Sequence, residues 1–307
     1  MEYKPEGYIF ESQSNQRYIS AAEGLSEAMQ KNIILEGRVI LCTSSHDLII
    51  DLPCARGIIP REEGAIGVRE GKTRDIALIS RVNKIVCFKI TGLELDDNGE
   101  LIAMLSRRSA QEECLKEYVS KLAKGDIIDA KVTHLEQFGS FVDIGCGIPS
   151  LIPIDSMSVS RISHPGDRFY VGQKIKAVVT DNSDGRIYLS HKELLGTWEE
   201  NAARFNIGET VPGIVRSIEG YGIFVELTPN LAGLTEPYSG IKVGQTVSVY
   251  IKAIIPEKMK VKLIIVDVYC EKAPVAEYEY FINEDHIKRW TYSSSSSDKL
   301  IQTDFTQ

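Results

Sequence analysis

Two pairs of aromatic residues, 83 positions apart, are the groups in this chain whose type and spacing point to a specific chemistry. Phe138-Gly-Ser-Phe141 and Tyr221-Gly-Ile-Phe224 each hold two rings three residues apart, with a glycine directly after the first ring. Side chains alternate between the faces of a β-strand, so residues three apart share a face only where the strand bends. The glycine allows such a bend. Two rings exposed side by side suit stacking on unpaired nucleobases better than they suit a catalytic centre.

The alternative interpretation places these rings in a hydrophobic core, where most large apolar side chains pack. The recurrence argues against it. The first ring follows eight residues after Ala130 in one segment and eight residues after Gly213 in the other, and the same glycine accompanies both. We therefore expect the four rings to lie on a surface.

The ring pairs belong to a longer internal repeat. The matching segments are 125–132 with 208–215, 171–174 with 243–246, and 185–190 with 260–264. Each segment is short and alternates apolar with polar residues, and turns rich in Gly, Asn and Asp separate the segments, as in 181–185. This pattern predicts small β-barrels rather than helical repeats.

A weaker third copy of the repeat lies upstream. Asn32-Ile-Ile-Leu-Glu-Gly37-Arg-Val39 matches the opening strand, but the ring positions hold His46 and Ile49. The stretch 69–82 has no counterpart in the other copies and is predicted to be an added hairpin. This copy therefore lacks the paired rings.

The charge of the chain is compatible with only a modest electrostatic attraction for a polyanion. The formal net charge of the 307 residues is -8. The repeats themselves are close to neutral, with 11 basic and 11 acidic residues in 34–108, 8 and 9 in 124–193, and 6 of each in 207–269. Stacking therefore has to supply a large share of any affinity for nucleic acid.

The residues do not converge on a catalytic or metal centre. The six cysteines lack CxxC spacing and are expected to be reduced, mostly buried thiols. The five histidines lack metal-ligand spacing, and neither GxxxxGK[ST] nor GxGxxG occurs. We find no secretory signal, and no apolar stretch approaches the roughly 18 residues of a membrane helix. We expect a cytoplasmic protein with no enzymatic activity, cofactor or metal, and no membrane partner.

The repeated pattern KGD…FGSFVDIG…VGQ…GRIYLS closely resembles the ribosomal protein S-one RNA-binding domain, which is a five-stranded OB-type barrel. The resemblance is strong over 124–193, good over 207–269 and partial over 32–108. The connector 194–205 also looks like the linker between such domains in short, multi-repeat S-one homologues of Gram-positive anaerobes. The resemblance implies a ribosome-associated role in translation, in which single-stranded RNA or messenger RNA is bound.

The fold class is accordingly predicted to be mainly β, with three tandem five-stranded OB-type barrels joined by short helices. The predicted segments are 1–31 (N-terminal, helical), 32–108 (degenerate first barrel), 109–123 (helical linker), 124–193 (middle barrel), 194–206 (linker), 207–269 (third barrel), 270–292 (C-terminal hairpin) and 293–307 (disordered tail). Aromatic residues at 278–292 are expected to close the hairpin against the neighbouring barrel, with a further base platform as the alternative.

The resemblance also assigns residues to the RNA-binding face. In the middle barrel these are Phe138, Phe141, Asp181 and Arg186, and in the third barrel Tyr221, Phe224, Thr235 and Lys260. For Asp181 the alternative is a turn cap, and for Arg186 a solvated charge. Pro153 stands where the family often has histidine, which removes one partner for a base. Lys260 replaces the family's closing arginine, so the third barrel is expected to bind less selectively.

A basic rim of the middle barrel is a further candidate for contact with RNA. Its members are Lys131, His134, Arg161, His164 and Arg168. The alternative is that each of them is an ordinary solvated loop residue.

The first barrel is expected to have a different task, because His46, Ile49 and Glu100 replace its rings and its closing arginine. By analogy with degenerate leading repeats of the family, it is predicted to contact the small ribosomal subunit. Two alternatives for the whole chain remain open. One is a ribosome- or enzyme-docking adaptor whose barrels mainly contact protein, and the other is an accessory module of a nuclease.

Overall fold

Three groups of five strands each close into a barrel in the computed structural model, which describes residues 3–183, 186–272 and 278–306. The first barrel consists of β1 (Leu35–Cys42), β2 (Leu48–Leu52), β3 (Ala55–Ile59), β4 (Ile85–Leu95) and β5 (Leu101–Ser106). The middle barrel consists of β6 (Ile127–Glu136), β7 (Gly139–Asp143), β8 (Pro149–Pro153), β9 (Lys174–Ser183) and β10 (Arg186–Ser190). The third barrel consists of β11 (Thr210–Glu219), β12 (Gly222–Thr228), β13 (Leu231–Thr235), β14 (Gln245–Ile255) and β15 (Lys260–Lys272).

All three barrels have the same topology. Around each one the strands follow the order first, second, third, fifth, fourth, and the third strand pairs with the fifth in parallel. This is the arrangement of an OB-type barrel. The predicted fold class is confirmed.

Two positions with a left-handed backbone conformation recur in all three barrels and show how the three sequences align. The residue five positions before Gly37, Ala130 or Gly213 has a positive φ in every copy, and so does a residue one or two positions before the fourth strand. These residues are Asn32 (φ 55°), Gly125 (90°) and Gly208 (95°), and then Asn83 (64°), Gly172 (94°) and Gly244 (90°). Asparagine is among the few residues besides glycine that adopt this conformation readily, so the first copy keeps the turns without the glycines.

Short helices lie before the first barrel, in the loops within the barrels and in the connections between them. The α-helices are α1 (Gln13–Ile19), α2 (Ala22–Gln30), α3 (Ile76–Ile79), α4 (Arg107–Glu117) and α5 (Trp198–Ala202). The 3-10 helices are Arg61–Glu63, Val119–Lys121, Ile154–Ser156, Pro165–Asp167, Lys192–Leu195 and Pro256–Lys258. The predicted hairpin at 69–82 is wrong, because this stretch contains α3 and no strand.

The first of two structural units contains the first barrel and the N-terminal segment. It comprises Met1–Leu122, Asp129–Lys131 and Asp143–Pro149. Glu6 is buried, and its carboxylate accepts hydrogen bonds from Arg107 Nε (2.6 Å) and Arg81 Nη1 (3.3 Å). Burial alone raises the pKa of Glu6, but these two guanidinium groups outweigh it and lower that pKa. The Glu6 backbone N–H in turn donates to Asp143 Oδ2 at 2.7 Å, which fixes the N-terminal segment.

The second unit contains most of the middle barrel, the third barrel and the C-terminal segment. It comprises Ala123–Ile128, Val132–Val142 and Ser150–Gln307. One apolar cluster runs from Val178 of the middle barrel through Leu194 and Trp198 of the linker into the third barrel, and it includes Trp290 and Phe305. The terminal aromatic side chains are therefore packing residues rather than a base platform.

The C-terminal prediction needs a correction. The hairpin predicted within 270–292 does not form, and the tail predicted to be disordered supplies a strand instead. Here β16 (Arg289–Thr291) pairs antiparallel with β17 (Gln302–Asp304). Residues 273–277 of the predicted hairpin lie outside the described part of the chain.

Candidate nucleic-acid interface

The ring pair of the middle barrel lies at the turn from β6 into β7. Phe138 is 56% exposed, and Phe141 is partly buried. Their ring centroids are 6.0 Å apart with planes at 89°, an edge-to-face contact that holds one ring against the other. A Cβ atom on Gly139 would stand 2.6 Å from the carbonyl oxygen of Ile152, so the turn requires a residue without a side chain. The core interpretation does not apply to Phe138.

The third barrel repeats this arrangement closely. Tyr221 is 67% exposed, and its ring lies 6.3 Å from that of Phe224 at an angle of 90°. A Cβ atom on Gly222 would stand 2.3 Å from the carbonyl oxygen of Thr235. The same glycine therefore performs the same task in both copies, and each barrel presents one exposed ring supported by a second.

His134 adds a third ring on the middle barrel, which sequence reasoning placed only in the basic rim. Its imidazole centroid is 6.5 Å from that of Phe141, and the two planes are inclined by only 27°. The side chain is 62% exposed, and Nε2 lies 2.7 Å from Glu136 Oε1. Its position in the repeat could have identified it, because His134 lies on β6 and the neighbouring strand β7 carries Phe141.

Each barrel with a ring pair also exposes a cation at the start of its last strand. Arg186 begins β10 and pairs in register with Ser183, and Lys260 begins β15 and pairs with Ile255. Both side chains are exposed. The two residues therefore occupy equivalent positions, as the sequence alignment of the copies implied.

Asp181 is not in a turn. It lies within β9, opposite Tyr188 of β10, and its Oδ1 is 3.7 Å from Lys124 Nζ. The remaining turn residues 184–185 lie outside the described part of the chain.

Three of the predicted contact residues are engaged elsewhere. Thr235 is only 3% exposed, and its hydroxyl donates to the carbonyl oxygen of Glu236 at 2.9 Å. The Lys131 ammonium donates to the carbonyl oxygen of Glu6 at 2.7 Å. Arg168 is 2% exposed and pairs with Glu226 of the third barrel. We correct these three assignments, because burial or a protein partner takes each side chain away from a surface ligand.

The other members of the basic rim remain exposed. Arg161 and His164 both lie in the segment between β8 and β9 with their side chains in solvent. His164 Nδ1 accepts a hydrogen bond from the backbone N–H of Gly166 at 2.9 Å, which caps the 3-10 helix Pro165–Asp167. Capping fixes the direction of this imidazole without burying it.

The first barrel has no ring pair at the equivalent place. Ile49 is 4% exposed and belongs to the interior, and His46 has a left-handed backbone (φ 65°) with Nδ1 4.0 Å from Asp75 Oδ2. Apolar side chains are exposed elsewhere on this barrel, with Ile40 at 50% and Ile76 at 65%. Its surface chemistry thus differs from that of the other two barrels.

The described residues contain neither a metal-binding group nor a helix that could span a membrane. No group of three or more His, Cys, Asp and Glu side chains in them is arranged to hold a metal ion. Within the same residues, every helix is too short or too polar to cross a bilayer.

Comparison with known proteins gives the family. The S1 RNA binding domain family matches residues 121–192, which hold the middle barrel. The chain is similar to the small ribosomal subunit protein bS1 of Leuconostoc lactis, with 30% identity over 237 residues that cover 70% of this chain and 52% of that protein. It is also similar to bS1 of Staphylococcus aureus (strain COL), with 27% identity over 254 residues that cover 78% of this chain and 63% of that protein.

Three closed five-stranded barrels of one topology, two of which expose a ring supported by a second ring, define a repeat protein of the OB class. The middle barrel belongs to the S1 RNA binding domain family, and the chain is a relative of the bS1 proteins, so the recognition made from the sequence is confirmed. The chain spans a little over half the length of the first of these relatives. A solved multidomain protein with nucleic acid binding domains from Streptococcus pneumoniae covers 76% of this chain at 15% identity and a TM-score of 0.25, which supports no structural argument.

Proposed function

We propose that this protein binds single-stranded RNA by stacking unpaired bases on the ring pairs of its middle and third barrels. The observation that carries the proposal is the repetition of one exposed ring, supported by a second at 6.0 Å and 6.3 Å, in two barrels of the same chain. Burying Phe138 and Tyr221 in the cores would have been the ordinary outcome for such residues. Every base has a π-face, so a site of this kind tolerates many sequences.

The chain's own residues have distinct tasks in this mechanism. Phe138 and Tyr221 each offer an exposed ring face to a base. Phe141 and Phe224, which are partly buried, hold those rings in place and offer a second ring face to a neighbouring base. His134 extends the stacking surface of the middle barrel. Arg186 and Lys260 contact phosphates, and the planar fork of Arg186 can bind two phosphate oxygens where Lys260 offers a single ammonium group. No step of bond making or breaking is involved, so the proposed activity is binding without catalysis.

The test is the affinity of the full chain for an unstructured oligouridylate, measured by fluorescence anisotropy. Stacking contributes roughly 1–3 kcal/mol per base, so the loss of two ring faces in F138A/F141A, together roughly 2–6 kcal/mol, is expected to weaken binding by about 30-fold to 20,000-fold. The matched control is Y170A, because Tyr170 is an aromatic residue of the same barrel that is 52% exposed but lies outside the ring pair. Equal affinities of F138A/F141A and the unchanged protein would overturn the proposal.

The messenger RNA and ribosomal role follows from the relatives rather than from the geometry. The similar proteins are named as small ribosomal subunit proteins. We propose by extension that this chain acts in translation, holding messenger RNA at the small ribosomal subunit. Co-sedimentation of the chain with isolated small subunits, with and without added messenger RNA, tests this extension separately from RNA binding.

A second function is proposed for the first barrel alone, which we infer docks on a protein of the small subunit. Its support is the loss of the rings together with the exposure of Ile76 (65%) and Ile79 (44%) on α3. The I76D/I79D variant of this 307-residue chain is expected to lose co-sedimentation with the subunit while its affinity for oligouridylate stays unchanged. Undiminished co-sedimentation of this variant would remove the support for docking.

A further inference from the structure

The middle and third barrels are joined by a buried cluster of charged side chains. Glu226 of β12 is 4% exposed and accepts hydrogen bonds from two arginines. Arg168 Nη1 lies 2.8 Å from Glu226 Oε1, and Arg168 Nη2 bonds to Oε2. Arg216 of β11 approaches the same carboxylate through Nε (2.8 Å) and Nη2 (3.1 Å). We call Arg168, Arg216 and Glu226 the junction cluster.

The junction cluster crosses from one barrel to the other. Arg168 comes from the segment between β8 and β9 of the middle barrel, whereas Arg216 and Glu226 belong to the third barrel. Asp167, which precedes Arg168, adds a second ion pair across the same boundary, with Oδ1 3.5 Å from Arg216 Nη1. The two bonds between Arg168 and Glu226 are largely shielded from water. They fix the orientation of the middle barrel relative to the third barrel as well as the distance between them.

The cluster lies beside the ring pair of the third barrel. Glu226 follows Phe224 by two positions on β12, so both side chains point to the same side of the strand. Two residues of a strand span about 7 Å. Arg168 is therefore anchored on a carboxylate that lies two residues from the ring that supports Tyr221.

The segment that ends at this cluster begins at the ring pair of the middle barrel. The backbone N–H of Ile154 donates to the carbonyl oxygen of Phe138 at 3.0 Å. Residues 154–168, the bridge segment, then run to the third barrel, where the Ser160 N–H donates to the Pro229 carbonyl oxygen at 3.1 Å. The exposed side chains of Arg161 and His164 lie between these two ends.

The C-terminal segment closes the junction from a further side. The Tyr278 hydroxyl donates to the carbonyl oxygen of Arg168 at 2.5 Å, and the Tyr292 hydroxyl donates to that of Asn230 at 2.6 Å. The Asn230 side chain accepts the Val159 N–H at 3.0 Å. The middle of the bridge segment and its Arg168 end are thus held by the third barrel and the C-terminal segment.

We propose that the ring pairs of the middle and third barrels form one composite surface for a single continuous strand, with the bridge segment as the path between them and the junction cluster as the device that fixes their spacing. This inference rests on the proposed function and adds the ligand it favours, a strand long enough to reach both ring pairs. Arg161 and His164 contact the phosphates of the crossing nucleotides. Arg168 and Glu226 act as positioning residues, since burial keeps both of them from the strand.

The physical consequence is a length-dependent affinity. Once a strand is held on one ring pair, the second pair meets it at a high effective concentration, which raises affinity by about 100-fold to 10,000-fold when the spacing is fixed and matches the span. A loose junction lowers this gain because the second site is presented in many orientations. The affinity for a strand that reaches only one pair does not depend on the junction.

The experiment compares oligouridylates of about 5 and about 20 nucleotides on the full chain. The variants are R168A and R168K, where lysine keeps the buried positive charge but cannot form the two-pronged pair with Glu226. The matched control is R289A, which removes the same charge from an exposed pair with Asp304 in the same unit. Binding of the short strand reports whether each variant is folded.

In the unchanged protein we expect the longer strand to bind at least about 100-fold more tightly than the shorter one. R168K is expected to reduce this gain at least about tenfold and to leave the short strand unaffected, while R289A changes neither. A gain in the unchanged protein no larger than about 16-fold would overturn the composite surface, because a site of about five nucleotides finds about 16 registers on the longer strand by counting alone. A gain that R168K leaves intact would overturn it as well. Failure of the short strand to bind at all would instead overturn the proposed function.

Discussion

The imidazole of His134 lies nearly parallel to the ring of Phe141, with centroids 6.5 Å apart and planes inclined by 27°. The middle barrel thus has three neighbouring rings where the third barrel has two. Ser217 stands opposite Phe224 in the third barrel, and a serine hydroxyl cannot stack on a base. This difference makes the middle barrel the stronger of the two proposed sites.

Replacing His134 tests that difference. We expect H134A to weaken oligouridylate binding by about fivefold to tenfold, near the lower end of the stacking range, whereas H134Y keeps a ring and largely restores the affinity. Anisotropy titrations at one fixed salt concentration give the comparison. Equal binding by H134A and H134Y would show that the ring at this position does not contribute.

The equivalent positions of Arg186 and Lys260 lead to a prediction about the salt dependence of RNA binding. R186A and K260A are each expected to lower the slope of log affinity against log salt concentration by about 0.7, the value for one phosphate contact on a single strand. The matched control is R56A, an exposed arginine of the first barrel. The slopes come from titrations between low and physiological salt, and an R56A slope as reduced as that of R186A would argue for a non-specific charge effect.

The close contacts at Gly139 and Gly222 lead to a prediction about the stability of the protein. An added Cβ at position 139 meets Ile152 O at 2.6 Å, and at position 222 it meets Thr235 O at 2.3 Å. We expect G139A and G222A each to lower the free energy of unfolding by about 1–3 kcal/mol, measured by urea denaturation. Gly220 supplies the control, because nothing lies within 4 Å of its added Cβ. If G220A were as destabilising as G222A, close approach to the backbone would not be the reason for the glycine.

The burial of His191 leads to a prediction about how the stability of the protein changes at low pH. Burial lowers its pKa from 6.5 to about 3, so the folded protein binds fewer protons at this site than the unfolded chain does. The stability that depends on neutral His191 is fully present above pH 6.5 and is lost as the pH falls toward 3, by about 1.4 kcal/mol per pH unit. We expect the difference in unfolding free energy between the unchanged protein and H191Q to change across this window. A difference that stays constant with pH would contradict the assignment.

Local patterns in the sequence were sufficient for the barrels and the ring pairs. The glycine after Phe138 and after Tyr221 signals a turn whose geometry depends on neighbouring residues alone, so its consequence, an exposed ring, can be read from the motif. The first barrel was harder, because Asn32 and Asn83 replace the glycines that mark the same turns in the other copies.

The roles of several residues depend on partners that are distant in the sequence, and these roles could not be predicted from local patterns. Arg168 looks like one more cation of a basic loop until Glu226, 58 positions away, is placed against it. Lys131 is similar, since its partner is a backbone carbonyl of Glu6. The C-terminal segment carries serines typical of a flexible tail, yet Tyr292 and Phe305 anchor it in the core of the third barrel.

The most direct measurement is photo-crosslinking of a uridine-rich strand to the intact chain, followed by mass spectrometry of the modified peptides. Crosslinks are expected at Phe138, Phe141, Tyr221 and Phe224, because stacked bases lie in contact with those rings. Tyr170 and Tyr238 are comparably exposed, at 52% and 47%, and serve as internal references that should remain unmodified. Crosslinks on these two tyrosines, with the four ring-pair residues untouched, would contradict the stacking mechanism.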